Sequence, residues 1–103
     1  MSRKRDDGVS FAKLAEIVGR DPLELSELKL AGKGLKEIPD LFPCKQLRKV
    51  DIAGNGLESL DCVSGLREMT WLSAKDNHVE DINPLLKLFK IQILNLGSNS
   101  EFL

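Results

Sequence analysis

Residues 47–57 read LRKVDIAGNGL, and residues 69–79 read MTWLSAKDNHV. The two stretches lie 22 positions apart and place like residues in like positions: Leu47 with Met69, Val50 with Leu72, Ile52 with Ala74, Asn55 with Asn77, and Leu57 with Val79. The same offset of 22 adds Leu25, Leu28, Leu30, Lys33 and Leu35 upstream, and Ile91, Leu94, Leu96 and Asn99 downstream. Three more columns follow with no insertion: Ile38, Leu60 and Ile82; Leu41, Val63 and Leu85; Cys44, Leu66 and Leu88. Eight columns in phase over three or more copies define an internal repeat. A period of this length is the mark of a stacked solenoid.

The chemistry of each column follows from the stacking. The motif LxxLxL alternates apolar and polar residues over its last three positions, as a short half-buried strand does. Copies stacked one above another can pair as a parallel sheet and turn their apolar residues into one interior. After the strand the chain must turn, and its backbone polar groups need partners. An asparagine side chain offers two donors and an acceptor for that purpose, so Asn55, Asn77 and Asn99 are expected to form a ladder. Lys33 takes the asparagine position in the first copy, where a terminal repeat has a neighbour on one side only. The return segments differ between copies. Pro39 and Pro43 argue against a regular helix in the first. Asn83-Pro84 reads as a helix cap followed by proline at the first helical position.

The organisation expected is a loosely ordered tip over 1–9, a capping helix and lead-in over 10–24, and repeats at 25–46, 47–68, 69–90 and an incomplete 91–103. Phe11, Leu14, Ala15 and Val18 recur at helical spacing, with Ser10 as N-cap, Gly19 as stop and Pro22 shortly after. A solenoid needs such a cover for its end. At the other end the fourth copy stops within its return segment. This leaves a fragment of a longer protein, end-to-end self-association, or a lid made by Phe102 and Leu103 as the readings.

Composition excludes more than it assigns. The 103 residues carry a formal net charge of −1, with 5% aromatic residues and no tyrosine. No overall basic character suggests a nucleic-acid or membrane-surface binder. Arg3-Lys4-Arg5 is the only basic run, and Asp6-Asp7 follow it directly. No apolar run is long enough to span a bilayer, and no signal peptide is recognisable. Cys44 and Cys62 form no CxxC, and two thiols without a secretion signal point to an intracellular compartment, cytoplasmic or nuclear. No cofactor is implied. Motifs of the GxSxG, Walker or HExxH type are missing, so no catalytic role is expected. Gly32-Lys33-Gly34 and Gly54-Asn55-Gly56 fall in the turn columns and read as turns rather than phosphate loops. His78 has no second histidine nearby and reads as a solvated turn residue, not a metal ligand. Cys44 shares a column with Leu66 and Leu88 and should be buried. Cys62 sits in a column expected to be more exposed.

The pattern LxxLxLxxNxLxxLxxLxxLxx over residues 25–103 resembles the short intracellular class of leucine-rich repeats. That class includes the leucine-rich regulator of protein phosphatase 1, the leucine-rich light chain of outer-arm dynein, a spliceosomal protein and acidic nuclear phosphoproteins. The resemblance implies an α/β fold: a right-handed solenoid with parallel strands on its concave face and an N-terminal capping helix. It implies protein binding, commonly through the concave face, without naming a partner. Alternatives are a structural cap and first repeats of a longer protein, or a nuclear, nucleic-acid-associated adaptor.

On that architecture the third, fifth and seventh positions of each copy point outward from the strands. They are Glu27, Lys49, Trp71 and Ile93; Lys29, Asp51, Ser73 and Asn95; and Ala31, Ala53, Lys75 and Gly97. Trp71 is the sole tryptophan and stands beside Ile93, a composition typical of an interface anchor. The expected partner surface is centred on Trp71 and Ile93 and rimmed by Lys49, Asp51, Ser73, Lys75 and Asn95. Small Ala31, Ala53 and Gly97 leave room for close approach. Lys29 is expected to pair across strands with Asp51.

Overall fold

A computed structural model describes residues 10–99 of the chain. The readings placed on the basic run Arg3-Lys4-Arg5, the 1–9 tip and the Phe102–Leu103 lid lie outside the described residues.

The repeat builds the sheet directly. Four three-residue strands, β1 (Glu27–Lys29), β2 (Lys49–Asp51), β3 (Trp71–Ser73) and β4 (Ile93–Asn95), form one parallel sheet in the order β1-β2-β3-β4. Partners in register are 22 residues apart throughout: Leu28 with Val50, Val50 with Leu72, and Leu72 with Leu94. The ladder continues past the strands. Leu30 N–H donates to the Asp51 carbonyl at 2.8 Å, Ile52 to Ser73 at 2.9 Å and Ala74 to Asn95 at 2.9 Å.

The inward columns make a single core. Leu28, Val50 and Leu72 are buried, as are Leu30, Ile52 and Ala74, and Leu35, Leu57 and Val79. Leu41 with Val63, and Cys44 with Leu66 and Leu88, close it from the return side. Each fully buried leucine or isoleucine contributes about 1.5–3 kcal/mol of transfer free energy. The strands are too short to be stable alone, so the stacked core is what holds them.

Helix α1 (Phe11–Val18) caps the first repeat. Ser10 Oγ accepts the Lys13 N–H, and Gly19 ends the helix in a left-handed conformation with its N–H on the Ala15 carbonyl at 2.8 Å. Leu14 enters the core, and Phe11, Ile17 and Val18 pack partly against it. A short 3-10 turn at Pro22–Glu24, capped by the Asp21 side chain on the Leu23 N–H, leads into β1.

The return segments of the second and third repeats are single 3-10 turns, Asp61–Val63 and Asn83–Leu85, while residues 36–46 hold no helix. One sequence expectation shifts here. Asn83 is the first residue of its turn rather than the cap, which falls on Ile82, and Pro84 follows within the first turn. The missing proline N–H is tolerated because the first helical donors have no intrahelical partner. Asp81 caps the turn from outside by accepting the Asn83 N–H at 2.9 Å.

Candidate functional site

The turns that leave the strands fix the geometry of the concave face. Position eight of each copy takes a positive φ: Gly32 at 67°, Gly54 at 67°, Asp76 at 57° and Ser98 at 59°. The left-handed residue turns the chain inward so that the next side chain, asparagine in copies two to four, enters the core. Asn55 Oδ1 accepts the N–H groups of Lys33 and Leu35, each at 3.0 Å. Its Nδ2 donates to the Leu30 and Ile52 carbonyls, each at 3.0 Å. Asn77 repeats the arrangement one layer on, with Oδ1 on the Asn55 and Leu57 N–H groups and Nδ2 on the Ile52 and Ala74 carbonyls. Asn99 Oδ1 accepts from Val79, and its Nδ2 donates to the Ala74 and Leu96 carbonyls. Each asparagine therefore serves the repeat before its own. The first copy has no repeat before it, which is the physical reason a lysine can stand at position 33.

This rigid sheet presents the outward columns side by side. Glu27, Lys49, Trp71 and Ile93 lie in consecutive register, as do Lys29, Asp51, Ser73 and Asn95. Trp71 is half-buried and Ile93 is 55% exposed. The Lys49 ammonium lies 4.9 Å from the centroid of a Trp71 ring, within range of a cation–π attraction. The other side of Lys49 meets Glu27, whose Oε2 is 3.7 Å from both Lys49 Nζ and Lys29 Nζ. Lys29 therefore pairs along its own strand with Glu27, and not with Asp51 as the register alone suggested. The Asp51 carboxylate is turned to the backbone, where Oδ1 accepts the Ala53 N–H at 3.1 Å. Asn95 does the same to Gly97 at 3.0 Å.

Three residues differ from their expected exposure. Ser73 is only 5% exposed. Its short side chain stands between Asp51 and Asn95 in the sheet register and offers a partner little surface. Ala53 is buried as well, whereas Ala31, Lys75 and Gly97 remain exposed. Cys62 is 7% exposed rather than open. It follows Asp61 into the 3-10 turn and joins the core cluster, where burial first and Asp40 second push its thiol up to about 12. Cys44 is fully buried, and burial followed by Asp21 raises its thiol too. Neither thiol is poised for nucleophilic work. His78 is exposed and its backbone N–H donates to the Leu57 carbonyl.

Sequence sites missed two features of this surface. The first is the Glu27 carboxylate bridging two lysines, which the Glu27-Leu28-Lys29 alternation could have indicated. The second is the exposed apolar group on the last complete repeat. There Ile82, Leu86 and Phe89 are exposed, and in the next copy Leu94 is 45% exposed although its column is buried in the first three copies.

Stacked repeats of 22 residues, a parallel sheet with one strand per repeat, and asparagines bonded to the backbone define a leucine-rich-repeat protein. Comparison with known proteins agrees. Over 77 residues, 74% of this chain, it is 34% identical to human leucine-rich repeat-containing protein 56, and the match covers 14% of that protein. Among solved structures it is similar to internalin C2 of Listeria monocytogenes, with a TM-score of 0.69 and 23% identity, over 72% of this chain and 33% of that one. It is also similar to a leucine-rich-repeat protein of Leptospira interrogans, with a TM-score of 0.70 and 25% identity, over 93% of this chain and 24% of that one. No family model matches the chain. The chain thus spans a small part of the curated relative and a third or less of these two structures. The leucine-rich-repeat fold is in general a non-enzymatic, protein-binding scaffold. No helix among the described residues is long and apolar enough to cross a membrane.

Proposed function

We propose that the chain is a protein-interaction module that seats its partner on the concave sheet, over Trp71 and Ile93. The observation that carries this reading is the adjacent pair itself: an outward tryptophan in register with an exposed isoleucine on a sheet of otherwise polar and small outward residues. Such a pair supplies the apolar centre that interfaces need, and Lys49, Asp51, Lys75 and Asn95 supply the polar rim. Ser73, being covered, is a spacer beneath that rim. An intracellular setting, cytoplasmic or nuclear, is supported by two buried cysteines held as free thiols.

The test is affinity capture from cell extract with quantitative mass spectrometry, comparing wild type with Trp71→Ala and Ile93→Ala. An anchor tryptophan at an interface centre is worth about 2 kcal/mol or more, near 30-fold in affinity. Proteins captured by wild type and lost with both variants support the reading. Undiminished capture by a Trp71→Ala protein with an unchanged unfolding midpoint overturns it.

One observation favours a second reading, association of two copies through the last-repeat end. Leu94 is exposed on β4, the last strand of the sheet among the described residues, and Ile82 and Leu86 are exposed in the repeat before it. Sedimentation velocity over a range of concentrations decides it. A dimer abolished by Leu94→Glu supports it, and a monomer at all concentrations excludes it.

A further inference from the structure

We infer that the partner segment is acidic, with an apolar anchor residue and carboxylates about three residues away from it. This rests on the concave-face reading and names the chemistry that the face selects. A shallow hollow on the concave side is lined by Lys29, Lys33, Lys49, Glu27 and Asp51, with Trp71 as its far wall. Three ammonium groups thus face two carboxylates, which leaves one positive charge in excess. Glu27 is held between Lys29 and Lys49 at 3.7 Å from each, and Asp51 accepts the Ala53 N–H. The lysines keep donors free. An ammonium has three donors, and 3.7 Å to Glu27 is longer than a hydrogen bond. The Lys29 side chain is 77% exposed. The hollow therefore offers free ammonium donors and a net positive charge.

The sheet sets the spacing. Neighbouring strands lie about 4.8 Å apart, so Trp71 on β3 and Lys29 on β1 are separated by about 10 Å across the sheet, with Lys49 between them. An extended segment running across the strands rises about 3.3 Å per residue. With its apolar residue on Trp71 and Ile93, its carboxylate meets Lys29 about three residues later, having passed Lys49 about halfway. A continuous polyanion such as single-stranded RNA fits less well. Its evenly spaced phosphates would be carried over Glu27 and Asp51, whereas a peptide can place neutral residues there.

The test selects a random 12-residue peptide library against the full chain. Enriched peptides are then measured by fluorescence anisotropy on wild type, Trp71→Ala, Lys29→Met and Lys49→Met, at low and high salt. Each lysine variant keeps its apolar stem, and circular dichroism confirms its fold. The expected result is enrichment of Asp or Glu about three residues from Leu, Phe or Trp. Binding should weaken about threefold for each lysine variant, about tenfold for both together and also with added salt. Peptides that require Trp71 but show no acidic enrichment and no lysine dependence overturn the acidic-partner inference and leave the concave-face reading standing. Enriched peptides indifferent to Trp71→Ala overturn the concave-face reading as well. Failure to enrich any peptide, or tighter binding of a 12-nucleotide oligouridine than of every peptide, overturns the inference.

Discussion

Asn77→Ala should cost this protein a large part of its stability. Asn77 is 4% exposed, and its Oδ1 accepts the N–H groups of Asn55 at 3.1 Å and Leu57 at 3.0 Å. Its Nδ2 donates to the carbonyls of Ile52 and Ala74 at 3.0 Å each, and more weakly to Lys75 at 3.2 Å. Alanine leaves the Asn55 and Leu57 N–H groups without their acceptor. A buried polar group left unsatisfied costs about 1–3 kcal/mol. The Leu57 N–H is the fully buried donor that loses its acceptor, whereas the Ile52 and Ala74 carbonyls keep a second donor in Asn55 Nδ2 and Asn99 Nδ2. Counting that donor fully and the part-buried Asn55 N–H at the low end gives a loss of about 2–4 kcal/mol. A domain of this size has about 5–15 kcal/mol in total. Urea unfolding followed by circular dichroism should therefore show a much lower midpoint, with Asn55→Ala less affected because Asn55 is only half-buried. Amide exchange should accelerate first at Asn55 and Leu57. A loss under about 1 kcal/mol with an unchanged slope would refute the reasoning. So would a greater loss for Asn55→Ala.

Three further perturbations test separate parts of the structure. Cys62 ionises at about 12 in the fold against an ordinary 9.0. Its folded value is the raised one, so its contribution is fully present below pH 9 and is lost as pH climbs toward 12, at about 1.4 kcal/mol per pH unit. Cys62→Ala should flatten that part of the alkaline unfolding curve, and an identical slope in the variant would count against it. Asp76 holds a φ of 57° where the first two copies have glycine. Asp76→Gly should change stability by a gain of up to about 1 kcal/mol in thermal unfolding, and a clear loss would contradict the account of that column. At Gly65, an added Cβ would lie 2.7 Å from Cδ1 of the Phe42 ring. Gly65→Ala should then cost about 1 kcal/mol, because Phe42 is half-exposed and can swing outward. The cost should vanish in a Phe42→Ala background, and a loss that persists there would place its origin in the backbone.

How much of this was legible in the sequence depends on what each residue answers to. The sheet register, the core columns and the asparagine turns all follow from one offset of 22, because stacking makes every copy repeat the same contacts. Ser10 and Gly19 announced helix α1 through local capping chemistry. What escaped were matters decided by side-chain reach rather than period. Lys29 chose Glu27 over Asp51 because Asp51 had a backbone N–H within its own turn. Cys62 went inward because its 3-10 turn rotates it there, and a column reading cannot see that rotation. Ser73 lies on the predicted face and is still covered, since a short side chain between longer neighbours contributes no surface.

The repeat constrains its columns unequally, and the proposed site rests on that inequality. An inward column must stay apolar in every copy, because each member packs on the one above and the one below. An outward column feels only weak cross-strand terms of a few tenths of a kcal/mol, so its composition is free to answer to something outside the chain. Glu27, Lys49, Trp71 and Ile93 share one column and pass from charged to apolar in four steps. No stacking requirement calls for that gradient. A tryptophan placed there gives the fold only its half-buried ring area and a contact with Lys49. The order in which the four residues stand fits the proposed partner, which needs both an apolar seat and cationic donors.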